Sequence, residues 1–534
     1  MKRLFGAETL FFLVTWLALL IAFRERGFYD PGSLWHIKVG EIILERGMPQ
    51  TDPFSYTLAD HPWVPQQWGA EVLMAWAHRA GGLDALLLSF ATAVAFLYTL
   101  IFRRCVQNGM GPLLAGLIVG GGLCVGAFHY FIRPHMFTIA FLAWTMMSLI
   151  DYERGRATLW RLVGLIPLYV VWVNLHGGVL GGTLTLGLAV AGWIFLFALR
   201  GLSTATTSSG FLRRCLDTPV DSWRTALILV AIVAACGLTP FVNPHGLAMI
   251  QTWQRIVGSK VLPQVVHEHM PLDPESPLGL MVLAWGGFYL LLLAGTLPQW
   301  PRISWLLPLV WLAFSFQGIR QAPLFAICAA VASADLWPHT RWHRLLLHYG
   351  DGSTAWDTSN AAEAPRHIRP LGPALLVPAL VVALAGQLNA HRVDVPVIGC
   401  GWARLDPAFI PSDLTPEVVA YAQRVPPGTP IFNDANLGGY LIYHAPNLKI
   451  FMDDRCELYG DENIRFYAET MGRTPEELGR VLEQWAARYG FERALILTNP
   501  PGRDPPPIER YLSTSPRWVE VARGQRAALY ERVR

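Results

Sequence analysis

The feature that most limits this chain is a series of apolar runs that repeats from its first residues to about residue 390. Each is about 18–22 residues long, enough for a helix to cross roughly 30 Å of hydrocarbon. Hydropathy places about eleven of them, at roughly 8–23, 82–102, 112–128, 135–150, 161–175, 178–199, 224–241, 278–296, 303–319, 321–337 and 372–389. The close pairs 161–175/178–199 and 303–319/321–337 leave room for re-entrant hairpins. Only 15% of the residues are charged and 53% are hydrophobic, which excludes an ordinary soluble protein of this length. The expectation is a polytopic α-helical membrane protein. No small-x-small cleavage site follows the first run, which ends in Arg24-Glu25-Arg26, so it reads as an uncleaved span and not a signal peptide.

Placement of the basic residues suggests an orientation. With the N-terminus in the cytoplasm, the inner segments carry Lys2-Arg3, Arg103-Arg104, Arg154, Arg156, Arg161, Arg200, Arg213, Arg214, Arg224, Arg302, Arg341, Arg344, Arg366 and Arg369. The outer segments hold about half as many. An odd number of spans then puts the C-terminal region outside, so the expectation is a multi-pass protein of the cytoplasmic membrane. The polar connectors 201–222 and 349–370 read as flexible inner loops. Seven cysteines give neither a disulfide framework nor metal-ligand spacing, although Cys400 and Cys456 lie outside the spans and could pair.

Two parts follow: a membrane domain over 1–390 with a large first outer loop at 24–81, and a soluble extracytoplasmic domain over 391–534. In the second part PEVVAYAQRV and TPEELGRVLEQWAARYG read as helices, the latter with a Thr N-cap and a Glu three residues on. TPIFN, NLKIFMD, RALILTN and WVEVA read as strands, and AALYERV closes the chain. Alternation of this kind predicts a small α/β domain with a largely parallel sheet. Gly438-Gly439 reads as a tight turn. The run FMDDRCELYGD is either an acceptor- or metal-binding edge or a salt-bridged loop capping the next helix.

Sorted by side, the unusual polar residues collect outside. Asp30, His36, Asp52, His61 and Glu71 lie in the first loop. His129, Arg133 and His135 follow the third span, Asn174 and His176 the fifth, and Asn243 and His245 the seventh. His267-Glu268-His269 lies further along that last loop, and Arg320-Gln321 ends the ninth span. Charge at membrane depth is costly and usually functional or paired, so the pattern points to one outward-facing cavity. Span ends are also where turns and interfacial anchors need polar groups, and Trp35, Trp63 and Trp68 fit an interfacial belt.

The segments Tyr29-Asp30, LWHIKVGEIILERGMPQTDPFSYT and HPWVPQQWGAE resemble the first loop of the GT-C class of integral-membrane glycosyltransferases. They are most similar to a poorly characterised bacterial branch whose first loop reads D…W-H…G…I…G-x-P…D-P-F-S-x-T. The RPH, NLHGG, NPHG and RQAPLF segments and the run IFNDANLGGYLIY…KIFMDDRCELYGD resemble that branch as well. The resemblance covers most of the chain and implies transfer of a sugar from a polyprenyl-phosphate donor to an envelope lipid, glycan or protein. It implies an acidic base at the start of the first loop, by position Asp30. Asp52 competes for that role, because Asp30 is followed by Pro-Gly. His36, Arg133, His135, Asn174, His176, Asn243, His245 and Arg320 are the candidate substrate-binding groups. Arg320 or Arg133 would hold the lipid phosphate, and the histidines would assist it or bind a divalent cation, Mg or Mn. Membrane lipids are expected partners and nucleic acid is not.

Two other classes stay open. A transporter or flippase for a lipid-linked or anionic substrate predicts polar residues at mid-membrane and inverted repeats, neither of which stands out. A non-catalytic envelope scaffold would not need carboxylates and cations facing one cavity.

Overall fold

The computed structural model describes residues 6–24, 26–203, 217–349, 372–393, 395, 414, 416–500 and 502–533. Most of both polar connectors and Cys400 lie outside the described residues, and Cys456 is a free thiol.

Every apolar run is helical. In chain order these are α1 (Ala7–Ala22), then α3 (Trp68–Gln107) beyond the loop helix α2 (Pro31–Arg46), then α4 (Pro112–Gly126) and α5 (His135–Glu153). There follow α6 (Leu159–Val163), α7 (Leu165–Leu175), α8 (Val179–Ser203), α9 (Trp223–Gly237), the amphipathic α10 (Leu247–Gly258) and α11 (Pro277–Ala294). The set ends with α12 (Ile303–Gln317), α13 (Ala322–Leu336), α14 (Arg341–Tyr349) and α15 (Gly372–Ala390). Six helices among the described residues are long and apolar enough to cross a membrane, and four more apolar helices are shorter. The protein is therefore mostly helical and membrane-like.

The bundle is built round α13. Its sequence, APLFAICAAVASADL, is mostly small residues, and nearly every one is buried. Small side chains let neighbouring backbones approach closely, which replaces the hydrophobic drive that is missing between helices in lipid. α13 packs against α3, α4, α5, α11 and α12.

α3 breaks at Gly81-Gly82, where Gly82 takes φ +67°. A side chain is strained in that conformation, so glycine permits the bend. The break falls where the sequence predicts the second span to begin. Its first half stands clear of the apolar stretch and packs on α2.

Each close pair is two helices joined by a short turn, with the first helix of each shorter than a candidate span. α12 starts and α13 finishes at one end of the bundle, where Ile303 and Asp335 lie, and their turn carries Arg320 to the other. The end with Asp335 is polar but closed. Glu153 accepts from Trp193 Nε1 at 2.8 Å and from the Ile303 and Ser304 amides at 3.0 Å each. That places a carboxylate on the free N–H groups opening α12. Arg104 meets Asp151 at 2.6 Å, and Asp335 takes Arg154, Arg156 and the Trp305 indole.

The C-terminal domain begins with α16 (Pro416–Gln423) and β1 (Thr429–Asn433), then α17 (Gly438–His444), β2 (Leu448–Ile450) and α18 (Cys456–Met471). It continues with α19 (Pro475–Tyr489), β3 (Arg493–Leu497), α20 (Pro507–Thr514), β4 (Trp518–Arg523) and β5 (Ala527–Arg532). The strand order is β2-β1-β3-β5-β4. β2, β1 and β3 are parallel, but β5 is antiparallel to both its neighbours, so the sheet is mixed and not largely parallel. The reason is the short link Gly524-Gln525-Arg526 between β4 and β5, which leaves room only for a hairpin. Phe432, Phe451, Trp485 and Phe491 form its aromatic core, with the Phe451 ring 5.0 Å from both Phe432 and Trp485.

The first loop is not separate from this domain. Tyr56 N donates to Ile450 O and Ile450 N to Phe54 O, each at 3.2 Å, so the loop lies along the free edge of β2. Gly438-Gly439 opens α17 and is not a tight turn. A Cβ on Gly439 would fall 2.2 Å from the Pro31 carbonyl oxygen, so glycine is what lets α17 rest on the start of α2.

Candidate functional site: a shared guanidinium at the domain end of the bundle

α2 starts where it does because Asp30 is extended and its Oδ1 accepts from Gly32 N at 2.8 Å, with Pro31 at the first helical position. One carboxylate oxygen is spent on the cap. The other, Oδ2, accepts from Arg133 NH1 at 2.8 Å. Arg133 sits in the short link between α4 and α5, and the neighbouring Ile132 amide donates to Gly27 O at 2.9 Å. That bond pins the link beside the start of α2.

Two more carboxylates reach the same guanidinium. Glu268 comes from the single turn His267–His269, which is tied to the α12–α13 link by Ile319 N donating to Met270 O at 2.9 Å. Its Oε2 lies 3.9 Å from Arg133 NH1 and 3.9 Å from His129 Nε2. Asp454 comes from the C-terminal domain, with Oδ2 4.0 Å from Arg133 NH2 and Oδ1 accepting from Trp35 Nε1 at 2.8 Å. Gly32 marks the junction: a Cβ there would lie 2.8 Å from Asp30 Oδ1 and 2.9 Å from both Arg133 Cζ and Asp454 Oδ2. Behind them Arg320 NH1 meets His269 Nε2 at 2.7 Å.

The site is partly open. Side-chain exposure is 14% for Asp30, 19% for Arg133, 23% for Asp454 and 32% for Glu268. Its carboxyl groups are not alike. Burial pushes Glu268 up, but Arg133, His129, Arg320 and His269 more than offset it and hold it at about 2. Burial also pushes Asp454 up, Arg133 offsets only part of this, and the nearby Asp30 and Asp453 add to it, leaving it at about 7. Burial and Arg320 lower His269 to about 4, so at neutral pH it is an uncharged partner for Arg320. Two cations thus face one carboxyl held ionised and another poised to carry a proton.

Of the other predicted residues, several sit nearby in structural roles. Asp52 is 4% exposed and bonds the Phe54 and Ser55 amides at 3.1 and 2.9 Å, while Arg455 NH1 donates to it at 2.7 Å. Arg455 also grips Asp453, at 2.6 Å from NH2, and lies over the rings of Trp63, Phe54 and Trp35. Asp52 is therefore built into the seam between loop and domain. His36 is fully buried and meets Glu71 at 2.9 Å; burial and the surrounding cations keep it neutral.

Asn174 accepts from Trp68 Nε1 at 2.9 Å and bonds Asn243 at 3.3 Å, and Asn243 Oδ1 in turn caps the His245 amide at 3.0 Å. These contacts tie α7 to α3 and to the link after α9. His176 Nδ1 accepts from Gly178 N at 3.0 Å and meets Thr138 Oγ1 at 2.8 Å, which fixes the α7–α8 turn. His135 Nε2 meets the His129 carbonyl at 2.6 Å, with the two rings 4.8 Å apart.

The sequence reading omitted Glu268, His269, His129 and Asp454 from the site. The first three were visible as polar residues on the same side, but their distance from Arg133 is a tertiary fact. In FMDDRCELYGD, Asp453 and Arg455 form a salt-bridged seam, while Asp454 between them faces Arg133. Among the described residues no group of three or more His, Cys, Asp or Glu side chains converges as metal ligands. The ring nitrogens present therefore do not assemble a ready divalent-cation site, and no step is routed through one.

No protein-family model matches the chain, and no curated protein matches it.

Proposed function

We propose that this protein is a membrane glycosyltransferase that moves a sugar from a polyprenyl-phosphate donor to an envelope acceptor on the outer side of a bacterial inner membrane. The observation that carries the reading is the Arg133 guanidinium, bonded by Asp30 and approached by Glu268 and Asp454, carboxylates from three separate segments. Strongly perturbed titratable groups around a partly exposed cation support a site over a scaffold. The chain is taken to cross the membrane eleven times with its N-terminus inside. Arg104, Arg154, Arg156 and Arg302 gather at the end away from the C-terminal domain, and that distribution supports the orientation.

In this reading a donor phosphate takes Arg133 by paired N–H donors, with Arg320 as the second cation. Arg133 then releases Asp30 Oδ2, which is left free to accept a hydrogen bond from the acceptor hydroxyl. The acceptor hydroxyl oxygen attacks the anomeric carbon and gives its proton to Asp30. The bond from that carbon to the phosphate oxygen breaks, and its electron pair leaves on the phosphate, stabilised by the arginines. Competition for Arg133 thus makes the base available only when donor is present. The lipid tail would lie against the bundle in the surrounding membrane lipid.

The test is transfer by protein reconstituted in lipid, using a panel of radiolabelled polyprenyl-phosphate sugars and an envelope extract as acceptor. Label is expected to move with wild type and not with Asp30→Asn. Donor crossing the bilayer unconsumed would replace this reading with a flippase.

A further inference from the structure

We propose that Asp454, delivered by the C-terminal domain, is a donor-binding residue that meets the lipid phosphate as a neutral acid, donating its O–H beside Arg133. The inference rests on the glycosyltransferase reading and deepens it. Its geometric ground is an imbalance: three carboxyl groups surround Arg133, at 2.8, 3.9 and 4.0 Å. One guanidinium cannot neutralise three carboxylates, and like charges so close cannot all stay ionised. Asp30 has the close bond, and Glu268 has His129, His269 and Arg320 as well. Among the described residues, the Asp454 carboxyl meets the Trp35 indole and the far side of Arg133.

The groups facing it fit that assignment. From the link before α5 comes Arg133, and from the cap of α2 comes Asp30. Its own segment adds Asp453 and Cys456, and burial together with the neighbouring carboxylates keeps the Cys456 thiol protonated. Glu268 acts on the same thiol in the same direction. Burial then raises Asp454 to about 7. An approaching phosphate adds another negative charge, which favours the protonated form still more. Below its midpoint Asp454 is a donor to the phosphate; above it, Asp454 is a competitor for Arg133. Donor affinity is therefore full at lower pH and lost as pH rises through about 7.

The measurement is binding of a farnesyl methyl phosphodiester to full-length protein in lipid nanodiscs at several pH values. This probe keeps a single negative charge throughout the range. For wild type, affinity should fall about tenfold for each unit of pH above the midpoint. Asp454→Asn, which keeps an N–H donor and an acceptor for Trp35, should bind with no such slope. Trp35→Phe removes a hydrogen bond that favours the ionised form, so its midpoint should move to higher pH. A wild-type profile that is flat, or a slope that survives in Asp454→Asn, overturns the inference. If that slope survives while Asp30→Asn still abolishes transfer, the assignment of Asp454 fails and the glycosyltransferase reading stands. If wild type binds no phosphodiester at any pH, both fall.

Discussion

Arg455 and Arg133 are built from the same parts. Each takes an aspartate from the segment after the first span, Asp52 or Asp30, and an aspartate from the run at 453–454. They differ in burial and in satisfaction. The Arg455 side chain and both its carboxylates are fully buried, with contacts of 2.6 and 2.7 Å. Arg133 is 19% exposed, has one close partner at 2.8 Å and shares its remaining reach among contacts of 3.9 and 4.0 Å. A charge cluster whose members are all paired at hydrogen-bond distance has nothing left to offer a ligand and acts as a fastener. One with spare reach, access to water and a carboxyl at about 7 can exchange a partner for substrate. The polar far end of the bundle belongs with the first kind, since Glu153 and Asp335 spend both carboxylate oxygens on neighbouring helices.

The contrast is broken most directly by neutralising one aspartate of each pair. Asp30→Asn should lower transfer by a factor on the order of 10²–10⁴, the usual worth of a general base. Asparagine caps a helix as well as aspartate does, so the melting temperature in detergent should hardly move. Asp52→Asn should instead cost stability, about 1–3 kcal/mol, because Arg455 loses a buried partner. If Asp52→Asn abolished transfer with stability intact, the two roles would have to be exchanged.

The arginines themselves come next. Arg455→Met leaves Asp52 and Asp453 buried without their cation and should cost about 3–5 kcal/mol. Its readout is early loss of the C-terminal domain to limited proteolysis. Arg133→Met should cost less, about 1–3 kcal/mol, because its close pair with Asp30 keeps some access to water. Equal losses from the two would show that exposure does not separate them. Arg133→Lys keeps the charge but loses the paired donors, so donor affinity should drop by about 1.5–3 kcal/mol with the fold unchanged.

A further variant sharpens the link between seam and site. Gly439→Ala puts a methyl against the Pro31 carbonyl and should cost about 1–3 kcal/mol of docking. Because Pro31 adjoins Asp30 and α17 precedes Asp454, transfer should fall more than stability does. Transfer unchanged in this variant would mean that the site tolerates a shifted domain.

Much of the scaffold was legible because it follows from local rules. The apolar runs announce their helices by length, and Thr474 before Pro475 announces α19 by its cap, with Thr474 Oγ1 accepting from Glu477 N at 3.4 Å. At Gly438-Gly439 a contact far away in the chain decided. Gly438-Gly439 looks like a turn until α2 is placed against it. The mixed sheet turns on a short hairpin link that alternation of helices and strands does not weigh.

The sequence by itself determined that this is a membrane-like helical protein with a small α/β domain after it, and that its unusual polar residues share one end. Those properties are set by run length and by neighbours a few residues apart, so no distant contact is needed to read them. Only the tertiary structure decided which aspartate is sealed in the seam and which keeps some access to water. Asp30 and Asp52 are alike in sequence, each followed by proline and each opening a local turn. What separates them is which arginine arrives from elsewhere in the chain and how much water remains beside it, and charge burial depends on packing that no local pattern records.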